Sequence, residues 1–169
     1  MRYLKRIIIV VLFCNCLIIA AQTQADYVNP FIGTSNFGAT NPGAIAPRGM
    51  VSVSPFNVAG SQNSPLEKDS RWLSNPYVNE NTFLTGFSHV NLSGVGCPDL
   101  GVIITMPTTG NLEINHLKYG STYTDEVAKA GFYSTTLNKY NIKVETTATT
   151  RTGISRYSFP KGKSNILLN

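Results

Sequence analysis

Histidine, cysteine and aspartate can bind protons, metals or sugar hydroxyls, and one stretch of this chain brings all three together. It runs Gly86-Phe87-Ser88-His89-Val90-Asn91-Leu92-Ser93-Gly94-Val95-Gly96-Cys97-Pro98-Asp99-Leu100-Gly101. It holds four glycines, one of the two histidines and the only cysteine beyond residue 16. Glycine is placed where the backbone takes a positive φ or approaches something closely. A polar, glycine-spaced run between apolar segments is therefore a shaped loop, and shaped loops on a rigid scaffold carry binding groups.

Most reaction chemistries fail on spacing. His89, Cys97 and Asp99 match no zinc pattern, and His116 lies far off in a polar turn. Ser88-His89 and Ser93 form no Gly-x-Ser-x-Gly elbow. Gly94-Val95-Gly96 is a fragment of a phosphate loop, with Pro98 where a helix would have to open. Glycosidases mostly use two carboxylates. The candidates are Asp69, Glu80, Asp99, Glu113, Glu126 and Glu145. Glu145 falls on the solvent face of a strand, Asp125 and Glu126 in a polar turn, and only Asp99 in a shaped loop. One carboxylate is not a pair, so no catalytic acid and base are expected here.

Recognition chemistry remains. Trp72, Tyr77, Phe83 and Phe87 lie amid Asn75, Asn79, Asn81, Ser88, His89 and Asn91. Aromatic faces pack on sugar C–H surfaces while amides and imidazoles reach hydroxyls. The same aromatics also suit a plain hydrophobic core, and for Trp72 and Phe87 that is the simpler reading. Cys97 likewise reads as a small buried hydrophobe.

Strands must position these groups. Ile142, Val144, Thr146, Ala148 and Thr150 share one face, and Lys143, Glu145, Thr147 and Thr149 the other, as in a half-buried antiparallel sheet. Phe132–Leu137 is its partner. Ser155–Phe159 follows the Thr152-Gly153 turn with Tyr157 and Phe159 inward. Met50–Ser54 is a strand closed by Pro55, and Val102–Met106 a buried strand ended by Pro107. Leu112–Ile114 is a short strand, and Asp125–Lys129 has room for one helical turn. Residues 26–48 form an ordered winding loop, and residues 57–82 are irregular. No segment has a helical period, so the fold class is all-β, an antiparallel β-sandwich.

The first residues are a leader. Arg2, Lys5 and Arg6 precede the apolar run Ile7–Ala21, and Thr23-Gln24-Ala25 offers a cleavage site. Residues 1–25 thus read as a signal peptide and 26–169 as one β-sandwich domain. Phe13 and Asn15 do not suit a lipobox at Cys14 or Cys16. The net charge is +5, and all nine acids lie past residue 25, so much of the basic balance leaves with the leader. No basic stripe marks a nucleic-acid partner, and no membrane span is expected. The apolar Ile166-Leu167-Leu168 stops without turn or polar tail, which leads us to expect a natural protein that continues beyond Asn169.

Several motifs in order carry a resemblance. They are Val28-Asn29-Pro30-Phe31-Ile32-Gly33-Thr34, Asn41-Pro42-Gly43-Ala44, Pro47-Arg48-Gly49-Met50, Gly86-Phe87-Ser88-His89, Leu92-Ser93-Gly94, Gly96-Cys97, Asp99-Leu100-Gly101, Met106-Pro107-Thr108 and Ala148–Gly153. Together they resemble the opening of glycoside hydrolase family 92, over nearly all of residues 27–169. The resemblance implies an exported, calcium-dependent exo-α-mannosidase acting on glycans with terminal α-mannose by inversion. It implies an N-terminal β-sandwich followed by an (α/α)6 catalytic barrel that supplies the acid, the base and most calcium ligands. The barrel is missing here, so a fragment inactive by itself is expected. The resemblance places Trp72, His89, Asp99, Cys97, Thr40 and Asn41 on one wall of the sugar pocket. Family members often carry an aromatic at the position of Asn41 and Phe at that of Arg48, which points to a subgroup with its own linkage preference. A stand-alone carbohydrate-binding module and a non-functional fragment are the alternatives.

Overall fold

Alternation of apolar and polar residues sets the clearest element. β8 (Ile142–Ala148) buries Ile142, Val144 and Thr146 and exposes Lys143 and Thr147. β7 (Phe132–Leu137) and β9 (Gly153–Ser158) flank it, each antiparallel. The computed structural model describes residues 23–35, 38–58, 75–91 and 103–169. The expected leader, most of the irregular segment and the Leu92–Gly101 part of the loop lie outside the described residues.

The remaining strands are β1 (Ala44–Ile45), β2 (Ser52–Phe56), β3 (Phe83–Leu84), β4 (Gly86–His89), β5 (Ile103–Thr109), β6 (Ser121–Lys129) and β10 (Ser164–Leu168). One helical turn, α1 (His116–Tyr119), joins β5 to β6, with Asn115 capping it through Leu117 N–H. Among the described residues two five-stranded sheets result, ordered β1-β2-β4-β5-β10 and β3-β6-β7-β8-β9. The expected antiparallel sandwich is therefore what forms.

The sheets meet over one core. Val53, Phe87 and Met106 from the first sheet pack with Leu84, Tyr133, Leu137, Ile142 and Val144 from the second. The Phe87 and Tyr133 rings lie 6.5 Å apart at 56°. Tyr157 and Phe159 pack against this core, as their inward positions predict. Each fully buried apolar side chain contributes about 1.5–3 kcal/mol. Tyr157 and Thr105 also bridge the sheets through their hydroxyls at 2.8 Å.

Several expectations fail for physical reasons. β2 runs through Pro55 and β5 through Pro107. β1 pairs only with Ser52 and Val53, and β4 only with Ile103 to Thr105, so neither proline owes a ladder bond on that side. Leu112 and Ile114 are exposed, and among the described residues this segment pairs with no strand. Asp125–Lys129 is not helical but belongs to β6, where the register shifts between Thr124 and Val127 and Asp125 takes φ 54°. Glu126 is thus in a bulged strand rather than a polar turn. Its two oxygens accept from Tyr133 at 2.7 Å and Tyr77 at 3.0 Å. On β10, Ile166 and Leu168 are exposed and Leu167 packs against the core, so the strand alternates.

Candidate functional site

β4 delivers His89. Within it Phe87 points into the core, and Ser88 is fully buried on the opposite face. His89 follows at the end of the strand, half-buried, paired with Val53 of β2 and Ile103 of β5. Its Nδ1 lies 3.2 Å from the Ile103 carbonyl oxygen. Its ring also crosses to the second sheet. A Cβ on Gly153 would sit 2.8 Å from His89 Cδ2 and 2.5 Å from a Val53 methyl, so β9 must open with glycine for the imidazole to fit.

Beyond His89 the chain turns under strain. Val90 takes φ 59°, a conformation costly for a β-branched residue. Asn91 secures it. Its backbone N–H donates to Ser52 Oγ at 3.1 Å, and Nδ2 to the Ser52 and Ser88 carbonyls at 3.2 and 3.1 Å. Its Oδ1 accepts from Ser88 Oγ at 2.8 Å.

Thr40 and Asn41 lie on the winding N-terminal segment. Thr40 Oγ1 donates to the Ile32 carbonyl at 2.9 Å, and Asn41 Oδ1 accepts from Gly43 N–H at 3.1 Å. Asn41 also lines an open cavity of about 680 Å³, with Arg48, Lys129, Ile45, Thr147 and Ala148 among its walls. Arg48 sits at φ 57° in the turn closed by the Gly49 N–H to Ala46 carbonyl bond. Among the described residues, the cavity's walls carry Arg48 and Lys129 and no acid. Asp26 lies near Lys129, and its carboxyl is held below the usual range chiefly by the Thr23 N–H.

The cavity and the histidine border the same hairpin. Ala148 lines the cavity, and its register partner Gly153 lies under the His89 ring. Met50 N–H is tied to the Thr150 carbonyl between them. His89 and Asn41 therefore flank one end of the sandwich. Trp72, Cys97 and Asp99 lie outside the described residues. Phe87, Tyr77, Asn75 and Asn81 are buried structural residues, and Asn91 spends its amide inside the fold. The Asn91 tie escapes sequence reasoning because an asparagine beside a histidine looks equally like a sugar ligand.

Tyr77, Tyr123 and Tyr133 surround Glu126. Burial pushes the Glu126 carboxyl above its ordinary value, against the two tyrosine hydrogen bonds that lower it. Burial likewise pushes the Tyr123 phenol up to about 12. Held by two tyrosine hydroxyls, Glu126 is a structural acceptor.

The profile described as Glycosyl hydrolase family 92 N-terminal domain matches residues 27–169. An "Uncharacterized secreted glycosidase" from Arthroderma benhamiae is 30% identical over 154 residues, which cover 84% of this chain and 18% of the relative. A family GH92 α-mannosidase from Bacteroides thetaiotaomicron aligns with a TM-score of 0.75 and 31% identity, over 87% of this chain and 20% of its own. A structure of that enzyme in complex with mannoimidazole aligns with a TM-score of 0.74, 31% identity and the same coverage. The chain thus spans about a fifth of the length of the relatives it matches.

Proposed function

The chain belongs to glycosyl hydrolase family 92 by the match of residues 27–169 to that family's N-terminal domain, and from this we propose that it forms one wall of the sugar site of an exported α-mannosidase. The observation that carries the reading is His89, set at the end of the sandwich with its ring held between the Ile103 carbonyl and Gly153. The α-mannosidase relative that binds mannoimidazole supports mannose as the sugar. Trp72, Asp99, Cys97, Thr40 and Asn41 are the other proposed contacts.

In this reading the substrates are glycans with terminal α-mannosides, and hydrolysis inverts the anomeric centre. In this reading the acid and base come from outside residues 27–169. Two carboxylates far enough apart to admit a water are required, and the described Glu126 is committed to two tyrosines. Calcium serves the longer protein. Among the described residues no three His, Cys, Asp or Glu side chains converge, so these residues do not fit the ion by themselves. Export rests on the leader-like residues 1–25 and on the relative described as secreted. Among the described residues no helix is long and apolar enough to cross a membrane.

The test is turnover of α-mannosides with calcium present. The 169-residue chain alone is expected to give none, and turnover by it would overturn the proposed division of labour. Calorimetric titration with mannose or mannobiose tests the wall itself. A second reading, a module that binds mannose unaided, is favoured by the continuous core of the sandwich. It requires binding by this chain alone, and no heat at millimolar sugar would remove it.

A further inference from the structure

The segment 92–102 is bounded by Asn91 on one side and Ile103 on the other, and both boundary residues are tied to the surroundings of His89. Asn91 is fastened to β2 and β4 by hydrogen bonds to Ser52 and Ser88 between 2.8 and 3.2 Å. Ile103 offers its carbonyl to His89 Nδ1. Between His89 and Asn91 stands Val90, at φ 59°. A β-branched residue keeps that conformation only where its surroundings over-determine it. Ser52 and Ser88 are buried, so the bonds to Asn91 form away from competing water.

The Ile103 carbonyl can only accept. A neutral His89 therefore carries its proton on Nδ1, and Nε2 is left with a lone pair. We propose that Asn91 is a positioning residue. By holding Val90 in the left-handed region it fixes the end of β4, keeps the His89 proton on Nδ1, and presents Nε2 as an acceptor for a sugar hydroxyl. This rests on the reading that His89 lines the mannoside site. A histidine fixed as acceptor selects a donating hydroxyl, and would not serve a ligand that offers only acceptors there.

Nitrogen NMR of the 169-residue chain, recorded at a pH where the spectrum itself shows a neutral ring, reads the His89 tautomer. The parent should show the Nδ1–H form alone. Asn91→Ala should mix the tautomers, and Val90→Gly with Asn91→Ala should restore the single form, because glycine holds a positive φ without the tie. Methyl α-mannoside titrated into the same proteins should bind about tenfold more weakly to Asn91→Ala, the effect of about 1.4 kcal/mol, and recover in the double variant. A single Nδ1–H form retained in Asn91→Ala overturns the proposal. If that variant does not fold, Ser88→Ala removes one bond to Asn91 and should mix the tautomers partly; an unchanged tautomer overturns the proposal equally. If the parent binds no mannoside while the tautomers respond as stated, the positioning holds and sugar binding by this chain unaided falls.

Discussion

Tyr133 donates its hydroxyl hydrogen to Glu126 across 2.7 Å, from a side chain with no exposed surface. Tyr77 donates to the other carboxylate oxygen at 3.0 Å. The pair places an acidic group where burial opposes its charge, and burial is the largest influence on it.

That relationship gives a pH dependence. The folded carboxyl titrates above the ordinary value of 4.5. Between those two values the native state holds a proton that the unfolded chain has lost, so stability falls as pH rises through the window. Below 4.5 the contribution is fully present. Glu126→Gln removes the titration and keeps one acceptor and a donor for the two tyrosines. Denaturant midpoints from pH 4 to pH 8 should decline in the parent relative to the variant, and parallel curves would refute the account.

Thr146 offers a simpler test. It is buried between the sheets, and among the described residues its hydroxyl finds no partner. An unsatisfied buried hydroxyl costs about 1–3 kcal/mol. Thr146→Val keeps the branched shape that suits a strand and should raise the urea midpoint. A lowered midpoint would mean the hydroxyl is satisfied in solution.

Gly86 should tolerate no side chain. A Cβ there would lie 2.3 Å from the Ile104 methyl and 3.0 Å from the Thr105 carbonyl. Gly86→Ala should cost about 1–3 kcal/mol, as overpacking does. Adding Ile104→Leu, which moves the branch outward, should recover part of the loss. Melting temperatures read both steps, and an unchanged Gly86→Ala melt would contradict the packing described.

Self-association should run through β10. It lies at the end of the first sheet and exposes Ile166 and Leu168, the latter by 74%. Edge strands without charge or bulge invite pairing. Leu168→Lys should lower the association seen by light scattering as concentration rises. Equal association by the variant would place the contact elsewhere.

The sequence was most legible where one periodicity acted alone. β8 and β9 follow from alternating residues, because a half-buried strand needs little else. Pro55 and Pro107 misled because a proline ends a strand only if its neighbour demands a donor, and pairing is not written locally. Asp125-Glu126 looked like a turn because two acids in a row suit solvent. The tyrosines that make Glu126 tolerable come from positions 77 and 133. Of the candidate positions, His89 was singled out by its motif. Asn91 and the strained Val90 were not, since backbone conformation and internal amide bonds leave no periodic signature.

One connection has mechanical meaning. β3 belongs to the second sheet and β4 to the first, and only Thr85 lies between them, with its N–H bound to the Phe56 carbonyl. A chain that changes layers over one residue carries no slack. Thr85 acts as a rivet, so a tensile load on either layer reaches the other at once. Under force, the two layers should yield in one rupture event rather than peel apart in sequence, and β4, with His89 at its tip, should stay in register until that event.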